Sequence, residues 1–115
     1  AQPPGIETII ESLEVFIEDL KKEHSGLVLG GFSQGGMVAS HLLSKAGSHL
    51  KGALLLSTVL LHQTKLQSSL EGVPGKPFLQ SHGSQDSVLP VAQGMSLYQF
   101  LKKKGWQGRW AEFSG

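Results

Sequence analysis

The sequence predicts an α/β layer structure, a parallel sheet with flanking helices. Three observations predict it. Short apolar runs begin near residues 27, 52, 77 and 107, with helices or long crossovers between them. An amphipathic helix precedes the first run. A glycine-rich turn stands where that run hands over to a second helix.

From Ile6 to Glu23, the apolar residues Ile6, Ile9, Ile10, Leu13, Phe16, Ile17 and Leu20 recur at three- and four-residue steps and form one stripe. Glu7, Glu11, Glu14 and Glu18 lie on the polar side, and Lys21-Lys22 close it, so acid comes early and base late, as the helix dipole favours. Gly26 breaks the helix. Leu27 to Leu29 is short and apolar on both faces, as a buried parallel strand would be, and it is left at Gly30-Gly31. A second helix runs from about Gln34 to Ala46, and Gly47 ends it. Gly52 to Leu56 is the next strand, and the mixed segment Ser57 to Leu70 has room for a short helix under a loop. Pro74-Gly75 punctuates the chain before a strand from Pro77 to Ser81. Pro90 opens a helix that runs to about Lys104, and after Gly105 a fourth strand spans Gln107 to Phe113.

Composition narrows the function. The chain has 115 residues, enough for one small domain, and no linker or internal repeat divides it. Ten basic and nine acidic side chains leave a net charge of +1, which gives no electrostatic case for a nucleic-acid partner. The run Lys102-Lys103-Lys104 reads as a helix end. There are no cysteines, which excludes disulfide scaffolds, thiol catalysis and cysteine-ligated zinc, and gives no sign of an oxidising compartment. No apolar run approaches the roughly 20 residues of a membrane span. Stable membrane insertion is not expected, and a cytoplasmic location is. The N-terminus, Ala-Gln-Pro-Pro-Gly, has neither a starter methionine nor a signal-peptide core. It reads either as a processed end or as the start of a piece of a longer chain.

Gly31-Phe32-Ser33-Gln34-Gly35 has the form Gly-x-Ser-x-Gly. In a chain with 15 glycines the pentapeptide is a weak signal by itself. Its setting carries the weight, because a nucleophile elbow needs a buried strand before it and a helix after it. The turn is sharp, and glycine lets helix and strand pass closely, with Gly30 and Gly36 widening the clearance. Ser33 would then stand at the carboxyl end of the sheet, and the first N–H groups of the helix would face a developing oxyanion. The bland alternative is a glycine-rich turn with no chemistry. A second constellation, Ser81-His82-Gly83-Ser84-Gln85-Asp86-Ser87-Val88-Leu89-Pro90, follows the third strand. Asp86 is the candidate acid that would orient a histidine, and the alternative is an Asx-turn residue in a polar loop. His82 tempts as the base but reads as structural, at a strand end four residues ahead of Asp86. His24, His49 and His62 read as surface or loop residues. His41 lies eight residues beyond Ser33, roughly 12 Å along the helix, too far to reach its hydroxyl. No histidine pair has metal-ligand spacing with a carboxylate nearby, so neither metal nor other cofactor is expected.

These residues resemble a known family. Gly30-Gly31-Phe32-Ser33-Gln34-Gly35-Gly36 is similar to the elbow of the phospholipase/carboxylesterase family of α/β-hydrolases, which includes the acyl-protein thioesterases. His82-Gly83-x-x-Asp86 followed by Val88-Leu89-Pro90 is similar to that family's acid loop. The resemblance covers nearly the whole chain. It implies one partial domain over residues 1–115, the C-terminal part of an α/β-hydrolase fold, with the elbow at 30–36 and the acid loop at 82–90. By the same resemblance Ser33 is the nucleophile, Asp86 the triad acid and the Gln34 N–H one oxyanion donor. In the family the histidine follows the last major strand, and this chain stops at Glu112-Phe113-Ser114-Gly115, where it would be expected. The second oxyanion donor comes from a His-Gly-rich loop far upstream of the elbow.

The expectation is a serine hydrolase that cleaves carboxylic esters or thioesters by Ser-His-Asp acyl transfer, with its histidine just beyond residue 115. Loss of one triad member costs roughly 10⁴ to 10⁶ in rate, so the segment alone is expected to be close to inactive. Without further strands, the strand at Leu27–Leu29 would be left as a bare apolar edge. Val59, Leu60, Leu61, Val88 and Leu89 are candidates for the substrate-pocket wall, with plain core packing as the alternative. The expected partner is a small-molecule or lipid acyl ester, and a homodimer is allowed. The competing reading is a non-catalytic binding module of the same fold, and a phosphate-binding α/β domain fails for lack of a P-loop lysine.

Overall fold

The computed structural model describes residues 6–114, with side chains from Thr8 onward. In chain order the elements are α1 Ile6–Glu23, β1 Leu27–Phe32, α2 Gln34–Ala46, β2 Leu50–Leu56, α3 Gln63–Ser69, β3 Pro77–Gly83, α4 Val91–Lys103 and β4 Gln107–Phe113, with one 3₁₀ turn at Gly47–His49. The four strands lie in sequence order and every neighbouring pair is parallel. The bounds of α1, α2 and β4 match the sequence reading. Three strands are longer than expected. β1 continues through Gly30 and Gly31 because both pair with β2, opposite Leu54 and Leu55. β2 begins at Leu50, and β3 runs on to Gly83, so His82 lies inside the strand and pairs with Glu112. The two N-terminal readings at Ala1–Gly5, and the place of Ile6 and Glu7 on their helix faces, lie outside the described side chains.

The core lies on one side of the sheet. Leu50, Ala53, Leu55 and Phe78 point to that side and meet Ala39, Leu43 and Ala46 of α2, Leu66 and Leu70 near α3, and Leu97, Phe100 and Leu101 of α4. Trp106 closes the cluster, 2% exposed. A smaller cluster seats α1, where Ile10, Leu13 and Ile17 pack with Val38 and Leu42 of α2 and with Leu27 and Leu29 of β1. The stripe of α1 therefore divides, with Ile17 buried and Ile9 and Phe16 exposed.

The other face corrects the expectation of strands buried on both sides. Side chains alternate across a strand, and the residues that point away from the helices stay uncovered among the described residues. Val28 is 60% exposed, Leu54 42% and Leu79 38%. With Pro77 and Arg109 they line an open trough of about 500 Å³. Among the described residues β1 pairs with β2 alone and forms an edge of the sheet, and Phe32 at its end is exposed. This is the bare apolar edge that the sequence reading anticipates.

One-sided packing predicts unequal costs for neighbouring leucines on β2. Leu55→Ala should lower the unfolding free energy of the 115-residue chain by about 2–5 kcal/mol, the range for buried leucines. Leu54→Ala should cost under about half as much, because Leu54 keeps much of its surface in solvent. Urea unfolding followed by tryptophan fluorescence compares the two, and equal losses would contradict the one-sided core.

Candidate active site

Parallel strands bring their carboxyl ends to one rim, and the segments beyond them are stitched there. Ser33 N–H donates to the Leu56 carbonyl at 2.8 Å, Ser57 N–H to the Ser81 carbonyl at 2.8 Å, and Ser84 N–H to the Phe113 carbonyl at 2.8 Å. Ser33 and the Ser84–Leu89 loop thus stand on the same rim, with β2 between their strands. Neighbouring strands lie about 4.8 Å apart, so roughly 10 Å separates the two strand ends.

Ser33 is held at φ 57°, ψ −119°, a backbone conformation that side chains other than glycine rarely adopt. It is the N-cap of α2, yet its side chain makes no capping hydrogen bond. A serine at an N-cap normally spends its hydroxyl on the helix amides, and here the positive φ turns the hydroxyl away from that duty. The bend has a steric cause. A Cβ on Gly31 would overlap the backbone of Gly35, and a Cβ on Gly36 would lie 2.7 Å from Cβ of Thr58 and 3.0 Å from the Gly31 carbonyl oxygen. Strand and helix therefore touch through backbone. Gly35, the second glycine of the pentapeptide, meets nothing within 4 Å. The contact the motif was expected to need is made by the glycine that follows it. Gln34 is the first residue of α2, where the backbone N–H has no acceptor within the helix.

Asp86 Oδ1 accepts the N–H groups of Val88 at 2.9 Å and Leu89 at 2.8 Å. The Asx-turn reading is therefore present in the structure, and Oδ2 is left beyond it. The Leu89 N–H, with help from Val88 and the nearby His82, holds the Asp86 carboxyl below the usual carboxylate range against a smaller opposing effect of burial. His82 is fully buried, donates from Nε2 to the Leu89 carbonyl at 2.5 Å, and stacks on Trp110 with centroids 6.3 Å apart. This is a structural histidine, as its position suggested. His41 is also buried, with Nε2 2.7 Å from the Leu61 carbonyl, and burial pushes its pKa down. Among the described residues no cluster of three or more His, Asp and Glu side chains could hold a metal.

The pocket-wall candidates are not gathered together. Val59 is 5% exposed and belongs to the interior, Leu60 packs against the main core, and Leu61 against the α1–α2 cluster. Val88 stands in solvent at 82% exposure, and Leu89 is half-buried. Sequence reasoning missed Ser57 and Thr58. Ser57 has φ 49°, and Thr58 is fully buried against Gly36 with no partner for its hydroxyl. A Ser-Thr pair after an apolar run carries no sequence signal for either feature.

A parallel sheet with a serine forced to positive φ between a strand and its helix defines the class of α/β-hydrolases. The phospholipase/carboxylesterase family model matches residues 2–114, and the chain belongs to that family. It is 30% identical over 92 residues to acyl-protein thioesterase 1 of Gibberella zeae, covering 77% of this chain and 39% of the fungal protein. With acyl-protein thioesterase 1 of Emericella nidulans it shares 32% over 84 residues, 70% of this chain and 35% of that one. The crystal structure of esterase PE8 superposes with a TM-score of 0.77 at 28% identity, over 96% of this chain and 53% of PE8. Acyl-protein thioesterase 2 of Zea mays has the same fold, with a TM-score of 0.75 at 22% identity over 98% of this chain and 58% of the maize protein. The chain thus spans well under two thirds of each of these relatives.

Two predictions follow from the geometry of the rim. Gly36→Ala should destabilise by about 1–3 kcal/mol through overpacking against Thr58. Gly35→Ala, in open space on a helix, should be neutral or stabilise by up to about 1 kcal/mol. Thermal unfolding measures both, and a Gly35→Ala loss as large as that of Gly36→Ala contradicts the assignment of the contact. The second concerns acid. Because the folded pKa of Asp86 is depressed, its contribution to stability is complete above the ordinary value of 3.8 and is lost as pH falls through the lower folded value. In an NMR titration the Val88 and Leu89 amide shifts should follow the Asp86 carboxyl, with a midpoint below 3.8.

Proposed function

We propose that this chain carries the nucleophile and the acid of a serine hydrolase that cleaves carboxylic esters or thioesters by two-step acyl transfer. The observation that carries this reading is the conformation of Ser33, whose hydroxyl is left free of capping duty at the start of a helix. Its Oγ attacks the acyl carbonyl, a histidine takes its proton, and water later releases the acid. That histidine, and a second oxyanion donor, come from parts of the protein outside residues 1–115. Asp86 Oδ2 orients the histidine while Oδ1 stays engaged by the loop amides. The Gln34 N–H stabilises the oxyanion at the positive end of α2.

The acyl group lies along the rim, where Val88 and Leu89 beside Asp86 offer apolar surface. The names of the fungal relatives support a thioester among the substrates. No helix of the described residues is long and apolar enough to cross a membrane, and we place the activity in the cytoplasm. The uncovered sheet face and the free edge of β1 receive the remainder of the α/β-hydrolase domain.

A fluorophosphonate probe applied to the full-length protein tests this reading. Wild type should label and Ser33→Ala should not; labelling that survives the substitution would remove Ser33 as nucleophile. Asp86→Asn should retain the fold and lower kcat by about 10⁴, the loss seen when a triad acid is neutralised.

A further inference from the structure

We infer that His82 is a positioning residue for Asp86, acting through Leu89, whose two flanking peptide groups the side chains hold, Asp86 at the N–H and His82 at the carbonyl. The inference rests on the hydrolase reading above. Leu89 donates its N–H to Asp86 Oδ1 at 2.8 Å. Its carbonyl accepts a hydrogen bond from His82 Nε2 at 2.5 Å. A carbonyl oxygen only accepts, so Nε2 carries the hydrogen. The same nitrogen stands 3.9 Å from Asp86 Oδ2, the oxygen that the loop amides leave free. The carboxylate is thus located by a short closed path, from β3 through His82 to Leu89 and back to Asp86.

The ring has little freedom to leave this position. It is fully buried, and Trp110 of β4 lies parallel to its face, with an interplanar angle of 7°. Its Nδ1 edge abuts Gly94 of α4, where an added Cβ would overlap Nδ1. The Gly94 carbonyl is in turn held by Gln80 Nε2 at 2.6 Å. Sheet and helix therefore fix the ring before it fixes the loop.

Packing alone does not ask for histidine here. Nδ1 is buried without a hydrogen-bond partner, and leaving a buried acceptor unpaired is unfavourable. A phenylalanine would fill the same slot against Trp110 and bury no unpaired nitrogen. What it would lack is the Nε2 donor, which is the atom that reaches the acid loop. The loop itself is otherwise exposed, with Ser87 and Val88 in solvent, and a triad acid on a loose loop would be a poor guide for a histidine.

The test uses the full-length protein and three variants of His82. Glutamine can place a side-chain N–H near the position of Nε2, phenylalanine keeps the ring without the donor, and asparagine places its amide near Nδ1, too short to reach Leu89. His82→Phe and His82→Asn should slow fluorophosphonate labelling of Ser33 by about 10- to 100-fold, the cost of a misplaced catalytic group. His82→Gln should restore most of the rate. In an Asp86→Asn background the Phe substitution should have little further effect, because the two residues act as one unit. An independent readout is the Leu89 amide, whose hydrogen exchange should be slow in wild type and in His82→Gln and fast in the other two.

Additive losses with Asp86→Asn, or a glutamine variant as impaired as the phenylalanine one, overturn the inference. So does an unchanged Leu89 exchange rate in both His82→Phe and His82→Asn. A wild type that fails to label while Leu89 exchange responds as described removes the hydrolase reading and leaves the clamp standing.

Discussion

The closeness of two backbones, the end of β1 and the start of α2, is the constraint on which the rest depends. Gly31 approaches Gly35, and Gly36 approaches Thr58 and Gly31, at distances where a Cβ has no room. The chain can turn from strand to helix in that space only if the residue between them takes an unusual conformation. Ser33 takes it, at φ 57°. Strain of this kind persists only where the surroundings over-determine it. Here the Ser33 N–H is fixed to β2, and the Gly36 N–H to the Ser33 carbonyl at 3.0 Å.

The sheet extends this local constraint into a site. Because all four strands are parallel, every strand-to-crossover junction falls on the same rim. The turn at Ser33, the Ser57–Thr58 bend and the Asp86 loop therefore lie along one rim. The helices α2, α3 and α4 supply the burial that holds this arrangement, all from one side. An aromatic row, Phe78, Tyr98, Trp110 and His82, links that core to the base of the acid loop, with successive rings 5.5, 5.5 and 6.3 Å apart. Order in the loop is thus continuous with order in the core.

The open face of the sheet follows from the same geometry. Leu54 and Leu79 alternate with buried neighbours along their strands, and Val28 with half-buried ones, so an apolar layer exists on both sides but helices cover only one. A contiguous apolar surface of this kind marks a place where further structure packs. This agrees with relatives of which the chain spans 35% to 58%.

The order of elements, the helix bounds and the place of the serine were legible in the sequence, because each is decided by local pattern. Helical spacing of Ile10, Leu13 and Ile17, the glycines around Ser33 and the turn at Pro74-Gly75 act within a few residues. The extension of β1 through two glycines was not legible, since glycine weakens an isolated strand and only pairing with Leu54 and Leu55 overrides that. Nor was the choice of Gly36 over Gly35 as the close contact, because Thr58, 22 positions along the chain, decides it. Local pattern alone set an α/β chain with a Gly-x-Ser-x-Gly turn between strand and helix and a polar loop carrying Asp86. Tertiary structure alone decided which face is covered, which side chains stay in solvent, and that a buried histidine meets the carbonyl of the residue whose N–H binds Asp86. These follow from contacts between residues far apart in the chain, which no local pattern encodes.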